Sequence, residues 1–324
     1  MSRRAEPRRD PGASPANTAG CQQPPRQDMS ASSAPSCGAR VLTSSACAAP
    51  TIRQVLAAAR RAVDPVDARV LLRQALQVGN EYLAAHPERE LDAEQEHRFS
   101  TLVARRAAGE PVAYITERRE FYGLEFKVTP DVLIPRPETE LLVELALARV
   151  PERRGAKVLD LGTGSGAIAV SLAHHRPLVQ VAAIDASQAA LAVASENARR
   201  LLVQPNVETR PGNWYGSLRG ETFSLIVANP PYVAAADPHL LLGDLRFEPR
   251  AALAAGADGL DDLRVIVAGA PTHLNSGGWL LCEHGYDQAH SVRELFIAAG
   301  FGAVFCAPDL AGIPRVTGGQ WQVI

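Results

Sequence analysis

The chain lacks long apolar runs, cysteine pairs and any excess of charge, and each absence argues against a class of protein. No uninterrupted apolar segment approaches the roughly 20 residues that span a bilayer. Five scattered cysteines without C-x-x-C spacing indicate reduced thiols rather than disulfides or a metal site. The net charge of the 324 residues is −2, whereas proteins that hold nucleic acid through its phosphates are usually basic. We therefore expect a cytoplasmic protein that needs no membrane, no metal and no direct contact with nucleic acid.

The first fifty residues lack the side chains that build a core. No Val, Ile, Leu, Phe, Tyr or Trp precedes Val41, and Ala, Ser, Pro and Arg dominate. Such a segment buries too little apolar surface to offset its ordering entropy, so residues 1–50 are predicted to be a disordered tail. The tail also lacks the apolar stretch of a secretory signal, and we expect translation to start near Met29.

A helical pattern begins at Thr51, which is a residue type that caps helices. Apolar residues then recur at helical spacing over 52–59, over 66–76 and around Phe99. These patterns predict a small helical domain over residues 51–110. Because about 60 residues is near the lower limit for an independent core, we expect this domain to pack on the remainder of the chain.

Residues 111–137 are predicted to form a linker that contains a β-hairpin. Its strands are Glu117–Phe121 and Leu124–Val128, joined at Tyr122-Gly123.

Strands and helices alternate over residues 138–324. The candidate strands are Lys157–Leu161, Val179–Asp185, Val207–Arg210, Phe223–Ala228, Gly278–Glu283, Ala303–Ala307 and Val316–Val323. The helical patterns are Glu138–Arg149, Ala167–His174, Gln188–Leu202, Leu260–His273 and Asp287–Ala299. This alternation predicts an α/β fold with a parallel sheet covered on both faces. The last strand has no helix before it, so we expect it to pair antiparallel.

A glycine-rich loop, Asp160-Leu-Gly-Thr-Gly-Ser-Gly166, joins the first sheet strand to the next helix. Its glycines permit a tight turn and close approach of a ligand to the backbone. Asp185 ends the following strand, where a carboxylate can accept both hydroxyls of a ribose. The loop and Asp185 fit NAD or S-adenosylmethionine. An acid at Asp160 would repel a diphosphate and tolerate a sulfonium, which favours S-adenosylmethionine, although a structural role for Asp160 is the alternative.

A second motif, Asn229-Pro-Pro-Tyr232, comes directly after the buried strand that ends at Ala228. Proline cannot continue a ladder, so the strand stops and presents the Asn229 side chain and the Pro230 carbonyl at the carboxyl edge of the sheet. These acceptors suit a planar NH₂ group, whose nitrogen is a weak nucleophile and needs positioning. The motif therefore indicates an amino-group methyltransferase, with Tyr232 as a wall for the planar group.

Longer motifs narrow the class of methyltransferase to one family that the chain resembles. The chain resembles the bacterial release factor glutamine methyltransferases, which are class I S-adenosylmethionine-dependent enzymes, over roughly residues 52–320. The resemblance rests on Gly109-Glu-Pro-Val-Ala-Tyr-Ile115, Phe121-Tyr-Gly-Leu-Glu-Phe126, Leu133-Ile-Pro-Arg-Pro-Glu-Thr-Glu140, Phe247-Glu-Pro249 and Ala311-Gly-Ile-Pro-Arg-Val316, beside the two motifs above. It implies a helical N-terminal domain that binds the release factor and a seven-stranded Rossmann-like domain, over residues 138–324, that binds S-adenosylmethionine.

The resemblance also implies roles for individual residues. The residues expected to contact the cofactor are Gly162, Thr163, Gly164, Ser165, Gly166, Asp185, Trp214 and Asn229, with Trp214 beside the adenine. The residues expected to hold the substrate glutamine are Asn229, Pro230, Pro231, Tyr232 and Arg136, of which Asn229, Pro230 and Tyr232 are the catalytic candidates.

The expected substrate is the glutamine of the Gly-Gly-Gln motif in class 1 release factors. A glutamine methyltransferase of a ribosomal protein is an alternative, although Pro135-Arg-Pro-Glu-Thr-Glu140 favours the release factor type. An adenine-N6 methyltransferase shares the Asn229 motif, but neither a basic face nor a target-recognition domain is visible. A binding module without activity is a further alternative, and the two intact motifs argue against it.

Overall fold

The structure is a computed structural model that describes residues 49–322. The predicted tail, apart from its last two residues, lies outside these described residues, and so does the expected start near Met29.

Five helices form the first part of the described chain. They are α1 (Ile52–Ala59), α2 (Pro65–Leu76), α3 (Asn80–Ala85), α4 (Ala93–Ala107) and α5 (Val112–Thr116). Thr51 caps α1, because its hydroxyl accepts from the Gln54 N–H while the Gln54 side chain accepts from the Thr51 N–H. The sequence pattern missed α3 and α5, which have only six and five residues and so carry little periodicity.

The helical part packs on the rest of the chain, as its size predicted. Arg106 on α4 forms ion pairs with Asp67 on α2, at 2.7 Å, and with Asp244, at 3.0 Å. Arg246 donates to the Ala108 carbonyl at 2.7 Å. Residues 243–252, which contain two short 3₁₀ turns, therefore contact the end of α4 directly.

A hairpin comes next, with strands β1 (Arg118–Phe121) and β2 (Leu124–Lys127). Tyr122 and Gly123 form its turn with positive φ angles of +50° and +75°, which is the twist that favours two-residue hairpins. Asn197 fastens the hairpin to the main sheet domain, because its side chain bonds both the N–H and the carbonyl of Lys127.

The main domain is built on seven strands and five helices. The strands are β3 (Lys157–Leu161), β4 (Gln180–Asp185), β5 (Val207–Pro211), β6 (Phe223–Ala228), β7 (Leu274–Glu283), β8 (Gly302–Pro308) and β9 (Pro314–Gln320). The helices are α6 (Thr139–Leu147), α7 (Ala167–His175), α8 (Gln188–Arg200), α9 (Asp261–Gly269) and α10 (Ala289–Ala298).

The sheet order is β5-β4-β3-β6-β7-β9-β8. Strands β5, β4, β3, β6 and β7 pair parallel to one another, and β9 pairs antiparallel with both β7 and β8, which confirms the predicted direction of the last strand. One apolar cluster packs α6, α7 and α8 on one face, and a second packs α9 and α10 on the other. The predicted α/β fold with both faces covered is therefore confirmed.

Several boundaries differ from the sequence prediction by one to three residues, and two differ by four residues for identifiable reasons. Strand β7 begins at Leu274 rather than Gly278, because a bulge around Gly277, at φ +82°, lets the strand continue through the glycine pair. Helix α9 ends at Gly269 rather than His273, because Pro271 has no N–H to donate to the carbonyl four residues before it, and the chain continues as a 3₁₀ turn over Ala270–Thr272.

Candidate active site

The glycine loop lies between β3 and α7 at the carboxyl edge of the sheet. Gly162, Gly164 and Gly166 have φ angles of +72°, +55° and +80°, which other residues adopt only with strain. A Cβ atom at Gly162 would lie 3.3 Å from the Trp214 ring, so the loop backbone and the indole are in contact. A Cβ atom at Gly166 would lie 3.1 Å from that of Ala194, so this glycine permits α7 and α8 to pack closely.

Asp160 does not face the site. Its side chain is completely buried beneath the loop and accepts a hydrogen bond from the Thr163 hydroxyl at 2.6 Å. Burial raises the pKa of Asp160 to about 7. The sequence left two roles open for Asp160, an acid that favours a cationic ligand and a structural support; the geometry favours the second, a residue that supports the loop.

Asp185 ends β4 beside the loop. Its Oδ2 accepts from the Gly164 N–H at 2.9 Å, and its Oδ1 accepts from the Ser187 N–H at 2.8 Å. Ser187 itself caps α8. An ionised carboxylate has about four lone-pair sites, so Asp185 can hold the loop and still accept ligand hydroxyls.

Trp214 follows β5 and lies over Gly162, in a left-handed backbone conformation with φ +49°. Asp262, on the first turn of α9, lies beside the Trp214 side chain, and burial raises the pKa of this carboxyl. The sequence pattern did not single out Asp262, since an acid in the first turn of a helix is common.

Asn229 follows β6 directly. Its Nδ2 donates to the hydroxyl of Thr139, the first residue of α6, at 3.0 Å. The amide NH₂ is thereby turned to the protein, which leaves Oδ1 as the acceptor available to a ligand. The Tyr232 hydroxyl donates to Glu283 Oε1 at 3.1 Å, and the Tyr232 carbonyl accepts from the Gln288 side chain at 3.0 Å.

These residues surround one cavity of about 380 Å³. The predicted residues that line it are Gly162, Thr163, Gly164, Ser165, Asp185, Trp214, Asn229 and Pro231. The predicted residues that do not line it are Gly166, Pro230, Tyr232 and Arg136. Pro230 is buried beside Asn229. Gly166 packs against Ala194 of α8, and the Tyr232 hydroxyl bonds Glu283.

Arg136 instead forms an ion pair with Glu248, whose carboxylate is fully buried. Glu248 also accepts from the Ile134 N–H at 3.2 Å. The pair joins two segments that line the cavity, around Pro135 and around Pro249. The contact of Arg136 with a substrate stays a prediction, and Glu248 is a residue that the sequence reasoning missed.

Within residues 49–322, every helix is too short or too polar to cross a bilayer. The same stretch holds no group of three or more His, Cys, Asp or Glu side chains arranged to bind a metal ion. Cys282 and Cys306 are free thiols.

Known proteins match the chain in both of its parts. A family model described as the PrmC N-terminal domain matches residues 51–116, and one described as the methyltransferase small domain matches residues 138–248. The release factor glutamine methyltransferase of Pseudomonas aeruginosa is 52% identical over 256 residues, which cover 79% of this chain and 92% of that protein. The protein of the same name from Burkholderia pseudomallei is 53% identical over 264 residues, which cover 80% and 92%.

Solved structures share the fold at much lower identity. The hMettl16 catalytic domain, solved in complex with MAT2A 3′UTR hairpin 6, has a TM-score of 0.50 and 16% identity, and the match covers 67% of this chain and 81% of that one. This likeness extends to the fold alone. The sequence relatives, at half identity over nearly their whole length, establish that the chain belongs to the release factor glutamine methyltransferase family.

Proposed function

We propose that this protein methylates the side-chain amide nitrogen (N5) of the glutamine in the Gly-Gly-Gln motif of class 1 release factors, in the cytoplasm, with S-adenosylmethionine as the methyl donor. The observation that carries the proposal is the Asn229 amide. Its NH₂ is bonded to Thr139 and its Oδ1 is left for a ligand, at the edge of a cavity that the glycine loop also lines. An acceptor so placed fits the NH₂ of a carboxamide.

The cavity fits the donor in size and chemistry. About 380 Å³ is within the usual range for small-ligand sites. The bare backbone at Gly162 lets a ligand approach between the loop and Trp214, where the indole can cover an adenine. Asp185 keeps lone pairs for the ribose hydroxyls after bonding the loop. These residues would hold the cofactor, with Asn229 at the end where methyl transfer occurs.

Bound S-adenosylmethionine would supply an electrophilic methyl group. The substrate nitrogen would take the methyl and release one proton, and the electron pair of the broken carbon–sulfur bond would stay on sulfur. The protein must present that nitrogen, whose lone pair is delocalised in the amide. Asn229 Oδ1, at the edge of the cavity, would accept one N–H bond of the amide, which orients the nitrogen and stabilises the positive charge that develops on it. Pro231, which lines the cavity, would confine the planar group, and Tyr232 would support it from behind the lining.

The test is to incubate the purified full-length chain with methyl-labelled S-adenosylmethionine and a class 1 release factor. A release factor with the motif glutamine replaced by alanine is the matched control. We expect label on the natural factor and none on the control. Label on a ribosomal protein or on DNA, with none on release factors, would replace the proposal with one of its alternatives.

A further inference from the structure

Glu283 and Asn229 occupy equivalent places at the carboxyl edge of the sheet. Strands β6 and β7 run parallel with Ala228 opposite Cys282, so the next residues, Asn229 and Glu283, leave the two strands side by side. Thr139 lies beside both of them, since it accepts the Asn229 NH₂ at 3.0 Å and its side chain stabilises the ionised form of Glu283. Glu283 is therefore placed behind the candidate catalytic amide and not in the cavity.

Glu283 is one of the most deeply buried acids among the described residues. It is 1% exposed, and Thr139 is 3% exposed. Its Oε1 accepts from the Tyr232 hydroxyl, and Oε2, which has no other partner among residues 49–322, is the atom to which the Thr139 hydroxyl can donate. Since a buried carboxylate is costly to ionise even when it is hydrogen-bonded, a protein without a use for this acid would be more stable with an apolar residue there.

We propose that Glu283 is a positioning residue for methyl transfer, acting through Thr139 to hold the Asn229 amide with its oxygen toward the substrate. An ionised carboxylate only accepts hydrogen bonds, so Thr139 must donate to it and must accept from Asn229. The direction of each bond in the series Asn229, Thr139, Glu283 is then fixed. The same carboxylate holds the Tyr232 hydroxyl, so one acid orients two residues of the motif.

The orientation matters because the two ends of an amide have nearly the same shape but opposite hydrogen-bonding character. A flipped Asn229 would present its NH₂ donors to the NH₂ of the substrate glutamine, and the acceptor would be lost. This inference rests on the proposed function, since only a substrate that donates N–H bonds requires the oxygen to face the cavity.

The groups around Glu283 indicate when the carboxylate is ionised. Thr139 and Glu138 face it from the start of α6, Tyr232 from the segment after β6, and Arg315 from β9. Burial raises the pKa of Glu283 to about 7, with Thr139, Tyr232 and Arg315 opposing the rise and Glu138 adding to it. A proton on Glu283 would turn an acceptor into a donor. The positioned form, and with it the rate, should therefore increase as the pH rises through about 7.

The first experiment measures single-turnover methyl transfer to a class 1 release factor at saturating S-adenosylmethionine across this pH range. Glu283→Gln should slow transfer roughly tenfold or more above pH 7 and remove the rise through about pH 7, because the loss of one preorganised contact slows catalysis substantially. Cofactor affinity should stay close to that of the wild type. Thr139→Val should be similarly slow, and Thr139→Ser, which keeps the hydroxyl, should recover the rate. Glu294→Gln removes an exposed carboxylate on α10 and serves as the matched control.

The second experiment needs no release factor. In ¹⁵N-labelled protein, the side-chain NH₂ resonances of Asn229 should shift with pH as Glu283 titrates. In Glu283→Gln, these resonances should no longer shift with pH. In Thr139→Val, the NH₂ hydrogens should lose their protection from exchange with solvent. Unchanged Asn229 resonances in both variants, or a wild-type rate and pH profile in Glu283→Gln, would overturn the inference. Altered resonances together with no methylation of any release factor by the wild type would reject the proposed function, and with it the role in methyl transfer, and would leave only the hydrogen-bond series Asn229, Thr139, Glu283.

Discussion

Glu283 should make the free energy of unfolding fall with rising pH, the opposite of what carboxylates in surface ion pairs do. Burial raises its pKa from an ordinary value of 4.5 to about 7. Between these two values the folded protein holds a proton that the unfolded chain has released, so folding becomes less favourable as the pH rises. At 1.36 kcal/mol per pKa unit, the stability lost by pH 8 is on the order of 3 kcal/mol.

The perturbation that isolates this effect is Glu283→Gln, which has nearly the same shape and does not titrate. Between about pH 5 and pH 7, the free energy of unfolding of the wild type should fall more steeply than that of the variant by about 1.4 kcal/mol per pH unit. Any constant cost of placing an amide there cancels in this comparison of slopes. Asp160, whose pKa burial also raises to about 7, is present in both proteins and cancels as well.

The assay is urea unfolding of both proteins at four or more pH values across this window, with Glu294→Gln as the control for removing an exposed charge. The control should show the wild-type slope, because Glu294 is exposed. If wild type and Glu283→Gln differ by the same free energy at every pH, the buried carboxyl is not protonated in the folded state and the reasoning fails.

Three further substitutions test the site. Asn229→Ala should reduce turnover roughly 10²-fold with little change in cofactor affinity. The control Asn275→Ala, at the opposite end of the sheet, should leave turnover unchanged. Near-normal turnover of Asn229→Ala would mean that another group positions the substrate. Asp185→Asn should raise the dissociation constant of S-adenosylmethionine, measured by calorimetry, by about tenfold or more, because hydrogen bonds to a charged acceptor are stronger than those to a neutral one. An unchanged constant would show that Asp185 does not bind the cofactor. Gly166→Ala should lower the free energy of unfolding by more than Gly123→Ala does. Both glycines have positive φ, but only at Gly166 would the added Cβ meet a close neighbour, the Cβ of Ala194 at 3.1 Å. Equal losses, each about 1–2 kcal/mol, would show that the protein accommodates this contact.

The sheet was predictable because its strands are short apolar runs that alternate with helical patterns. Asp185 and Asn229 were predictable for a related reason: each is a polar residue at the end of a buried strand, where a parallel sheet presents its ligand-binding edge. Glu283 carries the same signal after Leu280-Leu-Cys282 and could have been found by it. Motif matching passed over Glu283 because a single acid after an apolar run has no characteristic spacing.

The direction of a side chain is harder to predict than its place in the chain. Leu159 and Leu161 pack on the face of the sheet that α9 and α10 cover, and Val158 packs on the other. Since side chains alternate along a strand, Asp160 is directed to the Val158 face, under α7, and not out of the sheet edge. Pairs distant in sequence are also beyond pattern reasoning. Arg136 and Glu248, which are 112 residues apart, meet only because the segment before α6 and the segment after β6 line the same cavity.

The site places two acids that are costly to ionise directly behind the groups that would contact ligands. Asp160 bonds the Thr163 hydroxyl under the glycine loop, and Glu283 bonds the Tyr232 hydroxyl behind Asn229. Each is fully buried, and burial raises the pKa of each to about 7. Above pH 7 such a carboxylate lowers the stability of the fold, yet only its ionised form fixes the direction of the bonds in front of it. The two acids therefore lower stability in the same pH range in which they hold the loop and the amide in place. A substitution of Glu283 that makes the protein more stable above pH 7 should therefore slow methyl transfer. The rate should fall in proportion to how freely the Asn229 amide then rotates.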